Sequence, residues 1–385
     1  MLSWEYPPKN VGGLSNHVYY ISHSLCKLGH EVHIVTCQEG TAPIKENDKG
    51  VFIHRVEPYN IKTDDFIKWV MQLNFAMIEE CMRLIKETGN FDIIHGHDWL
   101  CTYALKSIKW GFTIPAVCTV HATEHGRNNG IRTDMQRYIA CCEAMLINEC
   151  HRVISCSYYM KEQINSLFLT PGDKMHVIPN GIEVEKFQGK VKPKDFRRRF
   201  AEDDEKIVFF IGRHVHEKGI QLLIDSIPSV IEVYGKVKFI IGGVGPMTLD
   251  LKDKVQKMNL QSKVLFTGYM EESDKINLYK VADAAIFPSL YEPFGIVVLE
   301  AMSAGCPVVA SDVGGITEII NHKTTGLKFM SNSIGSLREN LISVLLDEEL
   351  SEKFRTNAKL QVEEKYSWDK AASLTVDVYN EVLGI

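Results

Sequence analysis

The chain has 385 residues, 45% of them hydrophobic and 24% charged, with a formal net charge of −6 and a pI near 6.2. That length exceeds one ordinary core and fits two domains of about 150 to 200 residues. The acidic balance leaves no basic footprint for nucleic acid, no apolar run reaches the roughly 18 residues needed to span a bilayer, and polar Ser3 and Glu5 close behind Met1 rule against a signal peptide.

In chain order, short apolar runs alternate with amphipathic stretches. The strand-like runs of the first half are LSW, EVHIVT, FDIIHG, PAVCTVH, RVISCS and MHVIP. Residues 1–4 are short for the central strand of a sheet, so an upstream start codon or a trimmed chain is expected. Over residues 14–28, Leu14, Val18, Ile21, Leu25 and Leu28 share one helical face, and Gly29 stands where a C-terminal cap belongs. The polar, Gly- and Pro-bearing stretch 186–206 (KFQGKVKPKDFRRRFAEDDEK) interrupts the pattern. Within it the arginines 197–199 read as a solvated helix face. Alternation resumes with KIVFFIG, VKFIIGG, KVLFTG, AAIFPS and PVVAS. Strand–helix alternation of this kind predicts an α/β fold, two doubly wound parallel sheets covered by helices and joined near residues 180–200.

Nine of the ten cysteines precede residue 157, none is paired as C-x-x-C, and several lie in apolar stretches. They read as small buried hydrophobes, and the chain as cytoplasmic.

In open parallel sheets ligands bind beyond the carboxyl ends of the strands. That rule selects VGGL, HGHDW, HATEHGR, GRHVHEKG, GGVGP, TGYM and PSLYEPFG for inspection. In GRHVHEKG, Arg213 and Lys218 stand near one sheet edge at the entry to a helix, where fixed charge and free N–H groups suit a diphosphate; an exposed surface loop explains them as well. Gly12 and Gly13 follow the first strand and either admit a phosphate or sugar or simply make a tight turn. His95, His97 and Asp98, with His121 and His125 after the next strand, read either as metal ligands or as groups that orient a sugar. No Asp-x-Asp occurs, so Arg, Lys and backbone dipoles must meet any phosphate charge. The segment 291–305 (YEPFGIVVLEAMSAG) predicts a helix apolar on nearly every side with Glu300 in its middle. A buried carboxylate needs a partner: a ligand's hydroxyl pair, or a neighbouring backbone group. Glu292, eight residues earlier, lies at the mouth of that helix beside the amides of Phe294, Gly295 and Ile296, which have no partner within it.

E-x7-E after PSLYEPFG, G-R-x4-K-G after the first strand of the second domain, VIPNGIE at the junction, G-x-G-P and F-x-G together resemble the retaining glycosyltransferases of the family-4 type, with the GT-B fold. WEYPP, VGGL and HGHDW resemble the glycogen and starch synthase branch, although Lys9 stands three positions before Gly12 where that branch carries Lys-x-Gly-Gly. The resemblance covers essentially the whole chain. It implies two Rossmann-like domains facing each other across a cleft: residues 1–180 for the acceptor, with a final helix near 366–385 packed back on them, and 181–365 for the nucleotide-sugar donor. It assigns the ribose hydroxyls to Glu300 and the diphosphate to Arg213 and Lys218. The donor sugar falls to Glu292 with the amides of Phe294, Gly295 and Ile296, the anomeric carbon and C6 hydroxyl to His121, and the base to Gly268 and Tyr269. Gly12 and Gly13 would approach the phosphates, while His97, Asp98 and Trp99 are acceptor-side candidates. The expected partners are ADP-glucose or UDP-glucose and a saccharide or other hydroxyl acceptor, with no metal and no cofactor. Three readings compete: a sugar-nucleotide epimerase on the same fold, a metal-dependent hydrolase built on His95, His97, Asp98 and His121, and a non-catalytic sugar-binding protein.

Overall fold

The computed structural model describes residues 1–59, 61–189 and 193–385, with nothing stated for the side chains of residues 193 and 194. It divides into two units, Met1–Gly181 with Trp368–Ile385, and Ile182–Ser367. Of the polar stretch 186–206, residues 190–192 lie outside the described residues. The rest belongs to the second unit and includes the short helices Glu185–Gln188 and Pro193–Arg197.

The first unit contains strands β1 (Val32–Cys37), β2 (Lys45–Asp48), β3 (Val51–Val56), β4 (Ile94–His97), β5 (Ala116–Val120), β6 (Arg152–Ser155) and β7 (Met175–Val177). Three of them run in the order β1–β3–β2 and four in the order β4–β5–β6–β7. The N-terminal residues join the two sets. Leu2 N–H donates to His95 O at 2.8 Å and Leu2 O accepts from His97 N at 3.0 Å, while Val35 N donates to Met1 O at 2.9 Å. The run LSW therefore serves as the central strand through little more than Leu2, which bridges both Val35 and Gly96. All these pairings are parallel except β2 with β3, a hairpin whose turn residues Lys49 (φ +50°) and Gly50 (φ +100°) take the primed geometry that two-residue hairpins favour.

The helix Gly13–Lys27 buries Leu14, Val18, Ile21 and Leu25 against Trp368, Ala371, Ala372, Val378 and Tyr379 of the helix Trp368–Leu383. Each such side chain contributes about 2 kcal/mol on burial, more than helix propensity supplies. Leu28 departs from the expected stripe. The helix has ended by then, and the residue is 49% exposed.

In the second unit, β8 (Lys206–Ile211), β9 (Val237–Gly242), β10 (Val264–Gly268), β11 (Ala284–Phe287), β12 (Val308–Ser311) and β13 (Leu327–Phe329) form one sheet in the order β10–β9–β8–β11–β12–β13. Every adjacent pair is parallel. The order reverses between β8 and β11, and such a switch point is the usual ligand position in sheets of this kind. Phe210, Phe239, Ile241 and Ile286 of the strands pack with Ile220, Leu223, Leu337 and Leu341 of the covering helices. Of the ten free cysteines, eight are buried, Cys26 is half-buried and Cys141 is exposed.

Candidate functional site

In the second unit the loops at the switch point approach each other closely through their backbones. After β8 the chain runs through Arg213 to a turn of 3-10 helix (His216–Lys218) and enters the helix Ile220–Ile231 at Gly219. Gly219 has φ +68°, and a Cβ there would overlap the carbonyl oxygen of Pro288. The loop after β11 is thus pressed onto the loop after β8, and Leu290 N donates to Glu217 O at 2.8 Å. On the other side Gly314 (φ +54°) leaves no room for a Cβ against the Glu292 carbonyl, and Gly315 N donates to that oxygen at 2.9 Å.

These contacts fix Glu292. Its carboxylate accepts from Lys218 Nζ at 2.7 Å and from Ser289 Oγ at 3.2 Å, and it is buried. Arg213 lies further out, half exposed, with Nη2 3.5 Å from Glu217. Behind Glu292 the helix Ile296–Ser303 starts at Gly295, and among the described residues no acceptor is present for the amides of Phe294, Gly295 and Ile296. The result is one cation, one carboxylate and three N–H groups without a protein acceptor at one helix start, with Arg213 on the loop that carries the cation. Such a helix end attracts anions.

Glu300, two turns into that helix, is buried as expected, and the structure names a partner that the sequence left unseen. Lys275, from the helix Glu272–Val281, donates to Glu300 Oε1 at 2.6 Å. Glu300 Oε2 is buried with no hydrogen-bond partner, so one oxygen of the carboxylate stays available. Gly268 closes β10 with φ +70°, its carbonyl accepting from Gly243 N at 2.7 Å, and Tyr269 beside it projects into solvent.

In the first unit the corresponding sheet edge carries an imidazole cluster. His95 and His97 stack with centroids 4.4 Å apart, and His97 Nδ1 is 3.3 Å from His121 Nε2. His17, from the helix Gly13–Lys27, meets the His121 ring edge-on at 4.5 Å and donates from Nδ1 to Asn180 Oδ1 at 2.7 Å. Burial holds His17, His95 and His97 well below the usual imidazole pKa. It pulls His121 down to about 3, helped by the Arg127 guanidinium. All four rings are neutral near pH 7.

Asp98 adopts φ +58°, ψ 174°, a backbone region that L residues avoid. Its Oδ1 accepts from His121 N at 2.7 Å, which sets the position of the His121 backbone. Burial raises the Asp98 carboxyl to about 6, against the lowering effect of Arg127 and the His121 and Ala122 amides. Glu143, from the helix Asp134–Glu149, accepts from Glu124 N at 2.8 Å and is raised by burial to about 8.

Three sequence expectations shift here. Trp99 is packed among Val70, Leu100, Ile139 and Cys142, edge-on to Phe66 and Tyr138, so it is a core residue and presents no ring to a sugar. His97 is fully buried, which leaves His121 as the partly exposed ring of the cluster. The Gly12 amide is already donated to Glu5 Oε2 at 3.1 Å, as is Val11 N at 2.9 Å, although nothing stands within 4 Å of a Cβ at Gly12. Lys9 pairs with Glu39 at 2.6 Å. Sequence reasoning passed over Lys275, Ser289, Gly314, His17, Glu143 and the role of Asn180. Of these only the glycine pair after β12 carried a local signal.

A sheet reversing at β8/β11, a cation and carboxylates at a helix start, and a second set of mostly parallel strands with neutral imidazoles at their edge define a two-unit α/β protein with groups suited to an anionic ligand. Residues 11–186 match the family model described as Glycosyltransferase Family 4, and residues 191–361 match Glycosyl transferases group 1. The chain is 39% identical to an uncharacterised glycosyltransferase of Methanocaldococcus jannaschii, over 98% of this chain and 97% of that one. It is 30% identical to the glycogen synthase of Mycobacterium tuberculosis, over 98% of this chain and 93% of that one. The fold matches a sucrose-phosphate synthase from Thermosynechococcus elongatus with a TM-score of 0.85 at 22% identity, covering 97% and 94% of the two chains. The chain belongs to the family-4, group 1 glycosyltransferases of GT-B fold, retaining hexosyltransferases that use a nucleotide-sugar donor and need no metal. That membership displaces the epimerase, the hydrolase and the non-catalytic reading. The hydrolase also loses a ligand, since both ring nitrogens of His95 are taken, by Tyr379 Oη at 2.6 Å and Thr119 Oγ1 at 2.8 Å. Among the described residues no helix is long and apolar enough to cross a membrane.

Proposed function

We propose that the protein transfers glucose from ADP-glucose or UDP-glucose to a hydroxyl of a saccharide, an α-glucan in the first instance, with retention at the anomeric carbon. The observation that carries the donor assignment is the Lys218–Glu292 contact at 2.7 Å beside the free amides of Phe294, Gly295 and Ile296. Cation and carboxylate are adjacent there, as they must be to address a phosphate and the sugar attached to it. The glucan branch is supported by the mycobacterial glycogen synthase relative.

In this reading Arg213 and Lys218 hold the diphosphate, and Glu300 uses its free oxygen for the ribose hydroxyls. Glu292 and the three amides orient the sugar, while Gly268 and Tyr269 border the base. Gly12 and Gly13 would approach the phosphates, and His121, positioned by Asp98, would serve the anomeric carbon and the C6 hydroxyl. Negative charge grows on the departing diphosphate, and preorganised positive groups lower that barrier. With Glu292 occupied by sugar hydroxyls and Lys218, a front-face route suits the site: the leaving phosphate oxygen takes the acceptor's proton as the new glycosidic bond forms on the same face.

Arg213→Ala and Lys218→Ala are each expected to lower kcat about a hundredfold at saturating donor, roughly 3 kcal/mol; wild-type turnover in both would overturn the assignment. A thermal-shift screen of nucleoside diphosphate sugars identifies the donor, because a ligand at 100 times its Kd adds about 2.7 kcal/mol. Transfer to maltooligosaccharides with an α-linked product is the expected companion result, and inactivity with every glucan removes that acceptor.

A further inference from the structure

We propose that His17, His97 and His121 form a binding site for a zinc-class transition metal ion, and that an ion seated there blocks sugar transfer. The three residues come from the first helix, the end of β4 and the segment after β5. One ring nitrogen from each lies within 4.8 Å of the others. Zinc–imidazole bonds of about 2.0–2.1 Å in a tetrahedron place neighbouring nitrogens roughly 3.3 Å apart. His97 Nδ1 and His121 Nε2 are already at 3.3 Å. The third ring needs to close by no more than roughly 1.5 Å, within the reach of a small χ rotation.

One further observation points to a ligand. His17 donates from Nδ1 to Asn180 Oδ1, so its Nε2 carries the lone pair, and the ring is held as metal-bound histidines usually are by a second hydrogen-bond partner. His95 stacks on the same cluster with both nitrogens satisfied. The set is therefore three imidazoles, with the fourth coordination position open on the side of the partly exposed His121.

Three neutral nitrogen donors select zinc, cobalt, nickel or copper over magnesium, calcium or manganese. Turnover that needs no metal is thus compatible with the site. Asp98, bonded to the His121 amide, supplies compensating negative charge, while the nearby Arg127 opposes a cation. The inhibitory consequence rests on the role proposed above for His121; the binding itself does not.

The test is titration of the full chain with cobalt(II) chloride, followed by displacement with zinc. One cobalt per chain, with the intense visible absorption of a four-coordinate nitrogen site, is expected, and zinc should bleach it stoichiometrically. His17→Ala should abolish the band and leave zinc without effect on transfer. Asn180→Ala, a milder change that covers the case of a poorly folded His17 variant, should weaken cobalt binding 10- to 100-fold. Absence of a stoichiometric band in the wild type, or a band that persists in both variants, would overturn the site. Zinc inhibition that survives loss of His17 would overturn the blocking role. If the chain transfers no sugar yet shows the band, the functional reading fails and the metal site stands.

Discussion

Glu300 shows how much a single residue can disclose and where it stops. Its burial inside an apolar helix was legible from the pattern around it, as was the spacing to Glu292. Its partner was not. Lys275 lies 25 residues earlier on a different helix, and no local rule connects the two. The pairing leaves Glu300 with one committed and one free oxygen, which separates two effects by mutation. Glu300→Gln keeps shape and packing but gives up the anionic acceptor, so nucleotide affinity should fall at least tenfold by calorimetry with little change in unfolding free energy. Lys275→Met leaves a buried carboxylate unpaired and should destabilise the second unit by roughly 3 kcal/mol, read by denaturant unfolding. Equal affinity in the first variant would remove the ribose role. His17 illustrates the opposite limit: one polar residue on a helix whose apolar stripe accounted for its fold, and only tertiary contact with His121 gives it a chemistry.

At the level of elements, long apolar runs announced themselves and edges did not. β8, β9, β11 and β12 are dominated by Val, Ile, Phe and Ala and are largely buried. By contrast β2 is the polar tetrapeptide KEND, and its partner β3 reads VFIHRV with a histidine and an arginine in it. Those two polar residues are buried through contacts with other elements, Arg55 to Glu46 at 2.7 Å and His54 to Glu80 at 3.3 Å, so periodicity alone could not recover the strand. The joined loops of the switch point bear on one substitution. Gly314→Ala places a Cβ into the Glu292 carbonyl at a positive φ, and strain of about 1–3 kcal/mol should appear with a marked loss of donor affinity; a neutral result would mean the loop is freer than its contacts indicate. Packing of the helix Asp134–Glu149 onto the His121 segment has a pH signature. Glu143, raised to about 8 from 4.5, keeps a proton in the folded state that the unfolded chain has released, so its contribution is full below 4.5 and is lost as pH rises to 8. The histidines act in the opposite direction: folded His121 titrates near 3 and unfolded near 6.5, so stability falls as pH drops through that window, with His17, His95 and His97 adding to the slope. These imidazoles, joined by His54 at about 4, outweigh Glu143 and Asp98 below about 6.5, and above it the N-terminal amine, lowered by burial to about 6, opposes Glu143. The stability of the first unit should therefore rise with pH up to about 6.5 and change little from there to 8. Glu143→Gln should extend the rise toward pH 8 by removing an opposing slope of at most about 1.4 kcal/mol per pH unit, as urea titrations across pH 5–9 would show.

For the molecule as a whole, strand–helix alternation on both sides of a polar interruption made two sheets legible, and the strand order had to come from the structure. The destination of the last helix is the part that composition leaves open, because an amphipathic face does not say which surface it covers. Here the face is specified by shape. Trp368 stacks on Tyr20 at 5.4 Å, Ser24 Oγ donates to Asp369 at 3.1 Å, and Tyr379 Oη meets His95 Nδ1 at 2.6 Å in the centre of the first unit. The chain thus leaves the first unit at Gly181 and returns to it at Trp368. Truncation after Ser367 strips the cover from Leu14, Val18, Ile21 and Leu25 and leaves the buried His95 nitrogen without its tyrosine. Several side chains at about 2 kcal/mol each, plus an orphaned polar atom at 1–3, exceed the marginal stability of a domain this size. The second unit loses none of its own core, since Ile182–Ser367 contains its whole six-stranded sheet. In the truncated chain, limited proteolysis should digest residues 1–181 rapidly and leave a fragment beginning near Ile182. Added nucleoside diphosphate should protect that fragment further. A truncated chain whose two units resist protease equally would show that the last helix covers the first unit without holding it together.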